Sequence, residues 1–315
     1  MILRNVKFDF KVTKGKDYKR YIQGYKAAMV ALNALDKEDD EYLIKFNEIL
    51  DDFFADLLGD DYDQRLGIDV DDLEDLMQLL ADFNAAANPE ALERMAALAD
   101  ANHLIMAEAM TIWHMPLYKK LWEIVQSGAL GKVQIMTLNF GSYKEYNMQN
   151  RFFNMNLAGG AMLDIGVYAL SIVRSFMEET PTNILSQWKP SPTGSDEQAT
   201  VLLQNSLGQM ATVALSMHSK QPKRAMISCE KGYIEIMEYP RADKAVIVDA
   251  ETGARTEVAA GSTADALYYE MLDMEHAVQT RDASAMCLGY SRDVMDIMTR
   301  LRKEWGMKYP GEEWD

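Results

Sequence analysis

Between residues 183 and 248 the chain breaks into six short strand-like segments: Asn183–Trp188, Ala199–Gln204, Met210–His218, Arg224–Cys229, Tyr233–Met237 and Ala245–Val248. Turn signals such as Gly194 and Lys231-Gly232 separate them. A run of strands joined by turns builds a sheet, and a sheet with one apolar face needs a covering layer. Two helical stretches beyond it, about Ala264–Thr280 and Ser291–Lys303, supply that layer. Upstream, Lys132 to Gly141 reads as another strand with apolar alternation, and Met115 to Gln126 as a helix stopped by Gly128. The fold class expected is α+β.

The first part of the chain has a different texture. Residues 1–30 carry eight Lys/Arg against two Asp, whereas residues 31–88 carry three Lys/Arg against 18 Asp/Glu, so the local balance swings from +6 to −15. Val6, Phe8, Phe10 and Val12 alternate with polar neighbours as in a half-buried strand. Amphipathic helices are expected from Asp17 to about Leu35, from about Asp40 to Leu58, and from Asp71 to about Ala85. At Asn88-Pro89-Glu90 a new helix starts with an N-cap asparagine and a proline in its first turn. It should turn Leu92, Met95, Leu98 and Ala99 inward, and Leu104-Ile105-Met106-Ala107 then reads as a short buried strand. A boundary near Asn88 divides the chain into an acidic, mostly helical module (1–87) and a second domain (88–315).

Composition excludes several classes. A net charge of −17 is the reverse of the basic face that phosphate neutralisation needs, so no nucleic-acid partner is expected. No uninterrupted apolar run approaches the roughly 18 residues of a membrane span, and the start Met1-Ile2-Leu3-Arg4-Asn5 has no signal-peptide core, so a cytoplasmic protein is expected. Cys229 and Cys287 suit reduced thiols, and four scattered histidines give no zinc spacing, so no metal is expected.

The stretch with the most chemical content is Gly159-Gly160-Ala161-Met162-Leu163-Asp164-Ile165-Gly166-Val167-Tyr168. Adjacent glycines permit close backbone approach, and the helix that follows places Asp164 and Tyr168 four apart, hence on one face. A carboxylate and a phenol would point together at the mouth of a glycine-walled hollow.

Several motifs in one order carry a family resemblance. They are Glu108-Ala109-Met110 through His114-Met115-Pro116, Ser127-Gly128-Ala129-Leu130-Gly131-Lys132-Val133, Asn150-Arg151-Phe152-Phe153 running into the glycine stretch, and Asp196-Glu197-Gln198-Ala199-Thr200. Over residues 88–315 the chain resembles the Gfo/Idh/MocA oxidoreductases, particularly the branch with dihydrodiol dehydrogenases and glucose-fructose oxidoreductase. The resemblance implies a large, mostly antiparallel open sheet with helices on one face and a homodimer contact on the other. It also implies NAD or NADP as cofactor and a sugar, polyol or diol as substrate. Tyr168 and Asp164 would form the catalytic pair in the pocket. The loop Tyr143–Arg151 would help wall it, with Lys144, Arg151 and His114 as candidate substrate ligands. Arg151 suits either a substrate clamp or a structural ion pair, and His114 either a ligand or a packing residue.

The departures matter too. The family has a Rossmann domain ending in Glu-Lys-Pro, whereas the three corresponding positions here are Asp82, Phe83 and Asn84, with neither a lysine nor a G-x-G turn before them. The acidic module resembles small phage tail-assembly proteins instead. Two function classes therefore stand: an oxidoreductase whose dinucleotide-binding half and catalytic lysine are missing, or a binding and assembly protein with a dimerising sheet. Large side chains of the Asn88 helix and the 104–107 segment left bare would cost on the order of 10 kcal/mol.

Overall fold

The computed structural model describes residues 2, 3, 6, 7, 89–310 and 312. The chain divides into two compact units, Met1–Phe83 and Asn84–Asp315. In the first, β1 (Ile2–Leu3) pairs antiparallel with β2 (Val6–Lys7). The rest of the strand expected through Val12, and the three helices expected before Asn88, lie outside the described residues.

The second unit opens with α1 (Pro89–Ala101), α2 (Thr111–His114) and α3 (Pro116–Gln126), leading into β3 (Val133–Gly141). A π-helical turn at Met162–Gly166 runs into α4 (Val167–Phe176). Then come β4 (Asn183–Pro190), β5 (Asp196–Gln204), β6 (Met210–Ser216), β7 (Gln221–Cys229), β8 (Gly232–Met237), β9 (Lys244–Asp249) and β10 (Arg255–Ala259). Helices α5 (Ala266–Thr280) and α6 (Leu288–Trp305) complete the layer.

The eight strands β3 to β10 form one sheet in the order β10-β9-β8-β7-β3-β6-β5-β4. Only β3 and β6 run parallel, and every other pairing is antiparallel, as the resemblance implied. Alternation sorts the side chains. Met136, Leu138, Val201, Val213, Ile227 and Ile234 face the helices and are buried. On the other face Leu185 is register partner to Leu202 and Ile135 to Met210, and all four are exposed. The register also aligns one end of the sheet: Ser216 closing β6 lies beside Gly141 closing β3 and Gln198 opening β5, while Gly141 faces Gln221 opening β7. Loops from four strands therefore converge on one rim.

Two local expectations fail. The 104–107 segment is not a buried strand: Leu104 is 64% exposed. Its amide donates to the Ala99 carbonyl at 2.8 Å while His103 takes a left-handed φ of 53°, so the segment closes α1 at its C-terminus instead of extending into a ladder. Leu98 faces out at 55% exposure, and α1 packs through Leu92 and Ala96. By composition Met155–Phe176 would pass as a membrane span, but 61% of that window is buried within the fold. It is the core helix under the sheet.

Candidate functional site

The glycine pair is packed solid. A Cβ on Gly159 would lie 2.5 Å from the Arg151 carbonyl oxygen and 2.8 Å from the Asn154 nitrogen. At Gly160, where φ is 137°, a Cβ would lie 1.9 Å from Asp196 Oδ1. The expected hollow is thus filled by a carboxylate from β5. Asp196 is fully buried, and its Oδ2 accepts a hydrogen bond from the Met162 amide at 2.6 Å, at the N-terminal end of the helical stretch where a negative charge is favoured. Burial pushes its pKa up to about 7 against the pull of the Met162 and Ala161 amides and of Arg302. The Tyr309 hydroxyl donates to the Gly159 carbonyl at 2.8 Å, and buried Arg302 holds Glu312 at 2.6 and 2.7 Å. The C-terminal segment thereby straps the turn in place.

Beyond this clamp the π turn carries Asp164, whose Oδ1 sits 2.7 Å from Arg151 Nη1. Arg151 and Lys144 both lie over the Phe152 ring, at 4.4 and 4.3 Å from its centroid. The structure thus brings Asp164, Arg151 and Lys144 together around one aromatic ring. Tyr168, at the start of α4, is half-buried 6.4 Å from Phe140 and opens onto a cavity of about 760 Å³. The β8–β9 connection, with Glu238 and Arg241, and Lys223 of β7 form other walls. Burial raises the Tyr168 phenol above its ordinary range; Arg241 pulls it back down, Asp164 pushes it up, Arg151 lowers it and Glu270 raises it.

His114 is placed elsewhere. It is 2% exposed, and its Nδ1 lies 2.8 Å from Asp273 of α5, which Lys119 also pairs at 2.7 Å. It does not line the cavity. Sequence reasoning missed two groups beside Tyr168. Glu270, raised by burial against a Thr111 hydrogen bond and the charges of His114 and Arg241, has its Oε1 buried without a hydrogen-bond partner. Arg241 sits in a short turn with no periodic signal. A further cluster at the same rim was also missed: Glu197 accepts hydrogen bonds from Lys189 Nζ at 2.8 Å and from the Tyr146 hydroxyl, and Tyr146 stacks on His218. Burial works against its ionisation, yet these two donors hold Glu197 below the usual carboxylate range. Among the described residues no group of three or more His, Cys, Asp or Glu is placed to hold a metal.

Comparison with known proteins agrees with this architecture. The GFO/IDH/MocA C-terminal domain matches residues 118–235. Trans-1,2-dihydrobenzene-1,2-diol dehydrogenase of Xenopus tropicalis is 25% identical over 249 residues, covering 76% of this chain and 74% of that protein. Among solved structures, the aldose-aldose oxidoreductase of Caulobacter crescentus complexed with glycerol superposes with a TM-score of 0.61 at 18% identity, over 69% of this chain and 68% of the other. The 3-ketoreductase KijD10 of Actinomadura kijaniata, in complex with NADP and TDP-benzene, gives 0.60 at 15% identity, over 69% and 67%. Through residues 118–235 the chain matches the GFO/IDH/MocA C-terminal domain, and its C-terminal unit shares the fold of these oxidoreductases.

Proposed function

We propose that the C-terminal unit binds the hydroxyl of a sugar, polyol or diol at Tyr168 and moves that hydroxyl's proton during an oxidoreductase reaction. The observation that carries this reading is the half-buried Tyr168 phenol on the wall of the cavity, one helical turn after the Asp164–Arg151 pair. With its pKa raised, the phenol stays protonated near neutral pH and donates a hydrogen bond to a substrate oxygen. In the reducing direction it hands that proton to a carbonyl oxygen, and Arg241 and Arg151 stabilise the phenolate left behind. Arg151, fixed by Asp164 and stacked on Phe152, together with Lys144, orients the polar groups of the substrate.

The family resemblance is to NAD(P)-dependent enzymes, but the glycine turn of the described residues does not fit the cofactor's phosphates. The Gly159-Gly160 pair, the nearest thing to a phosphate-cradling turn, is already filled by Asp196 and the Arg151–Asn154 backbone. The chemistry open to the described residues themselves is therefore proton transfer and substrate binding.

Tyr168→Phe tests the reading. With NAD(P)H and a panel of 1,2-diols, aldoses and their ketones, the wild type should turn over at least one pair. The variant should lose about a hundredfold or more in kcat with KM little changed. Equal activity of the two proteins would overturn the assignment. A folded wild type that gives no fluorescence or thermal-shift response to NADH or NADPH, and no turnover, would favour the binding and assembly class instead.

The exposed sheet face supports a homodimer joined through Ile135, Leu185, Leu202, Met210 and Met237. The free thiols Cys229 and Cys287 suit the reducing cytoplasm. Residues 1–87 are read as a unit of their own, a division supported by the compact-unit boundary between Phe83 and Asn84.

A further inference from the structure

The cavity beside Tyr168 carries charge beyond the Asp164–Arg151 pair. Four carboxylates line it, and three of them are already committed. Glu235 is held by Arg224 at 2.8 Å and Arg255 at 3.3 Å, and Glu238 by Lys223 at 3.0 Å, while Asp243 accepts from the Thr263 amide at 3.1 Å and from its hydroxyl at 3.2 Å. The fourth, Glu257, is exposed on β10. Three cations line the same space; Lys223 is taken by Glu238, whereas among the described residues neither the Arg241 nor the Lys244 side chain makes an ion pair or a hydrogen bond.

Arg241 is not a cation at the tip of a loose loop. Its turn, Tyr239–Arg241, is fixed at several points. Tyr239 is fully buried, and its carbonyl accepts a hydrogen bond from the Tyr118 hydroxyl. The Arg241 amide donates to the Glu238 carbonyl at 3.2 Å, and the Arg241 carbonyl accepts from the Thr263 hydroxyl at 2.7 Å. Entry to the turn costs a left-handed φ of 51° at Glu238, a conformation that persists in a non-glycine residue only where the surroundings enforce it. The backbone is thus over-determined, while among the described residues the guanidinium at its end makes no ion pair or hydrogen bond. A fork of donors on a rigid support, facing a cavity, is preorganised for a planar or tetrahedral anion. Its charge also reaches Tyr168, since it is the strongest of the influences that lower that phenol.

We propose that this cavity selects polyhydroxylated substrates bearing an anionic group, a carboxylate or a phosphate, with the anion held by Arg241 and Lys244 and the reacting hydroxyl at Tyr168. The inference rests on Tyr168 as the hydroxyl-binding group and adds the class of substrate. A cavity of about 760 Å³ has room for a six-carbon polyol together with its anionic end. A neutral polyol would leave both cations hydrated and gain nothing from them.

The test is calorimetric titration of the full chain with sorbitol, gluconate and sorbitol 6-phosphate. The wild type should bind at least one anionic polyol about tenfold or more tightly than sorbitol, as expected of charge-assisted hydrogen bonds. The stronger of the two anions identifies the group. In Arg241→Gln the ratio of anionic-polyol to sorbitol affinity should fall to about twofold or less, and Arg241→Lys should keep part of it. The side chain is exposed, so the variants should fold, which circular dichroism checks. Sorbitol binding as tightly as both anions, or an anion preference that survives Arg241→Gln, overturns the inference while leaving the Tyr168 reading intact. Failure of all three to bind sinks both.

Discussion

Asp196 shows how a residue can be legible as part of a motif while its role is not. Its place in Asp196-Glu197-Gln198-Ala199-Thr200 helps carry the family resemblance, but nothing in the sequence says that its carboxylate fills the space beside Gly160. That contact joins β5 to the glycine turn, and a single sequence shows neither the pairing nor the burial. The burial has a measurable consequence. The unfolded chain releases this proton near the ordinary value of 3.8, whereas the folded protein keeps it up to about 7. Between those values the native state binds the extra proton, so the group's contribution to stability is greatest at low pH and is lost as pH rises toward 7. Asp196→Asn mimics the protonated form at every pH. Urea unfolding of both proteins should show the wild type losing about 2 to 3 kcal/mol relative to the variant between about pH 5 and about pH 8. A flat difference, or one of opposite sign, would mean that Asp196 is ionised in the fold at low pH. Tyr168, Asp164 and Arg151 were readable because they are close in sequence; Arg241 and Glu270 reach Tyr168 only through the fold.

Among the elements, the six strands read from residues 183–248 all appear, with ends shifted by up to a few residues. Alternation was reliable there because one face is buried. Strand β10 was missed because Arg255, Thr256, Glu257 and Ala259 are all exposed and only Val258 is buried, which leaves no two-residue period to detect. The 104–107 segment failed for the opposite reason: it is apolar enough for a strand, but its first amide is used in ending α1. The exposed face of the sheet is the element whose partner the structure leaves to experiment. Leu185 and Leu202 sit opposite each other across β4 and β5, 58% and 49% exposed, and apolar cross-strand pairs of this kind gain by being covered. If a second copy covers them, light scattering should give a dimer for the wild type and a monomer of unchanged circular dichroism for Leu202→Glu. A monomeric wild type, or a dimer that tolerates the glutamate, would place the contact elsewhere or remove it.

At the scale of the molecule, stability is unevenly distributed, and the least anchored described stretch is the one that enters the C-terminal unit. The central strands bury Met136, Leu138, Val201, Val213, Ala225 and Ile227 under α4, and each is hydrogen-bonded on both sides. Among its described side chains helix α1 contributes Leu92 and Ala96 to the buried set, and the ion pair of Glu93 with Arg292 at 2.8 Å is between solvent-exposed groups and adds at most about 1 kcal/mol. Leu98 and Leu104 stand in solvent, and no strand partner holds 104–110. Local opening follows the density of buried apolar contact, so the free energy needed to expose amides in 98–107 should fall well short of the global value. Hydrogen exchange with mass spectrometry should show peptides from 98–107 fully exchanged while those from β3, β6 and β7 keep most of their protons, with a gap of about a hundredfold or more in rate. Equal protection of the two regions would mean that Leu98 and Leu104 are covered in solution, and the exposure seen here would then mark a docking surface rather than a weak entry to the fold.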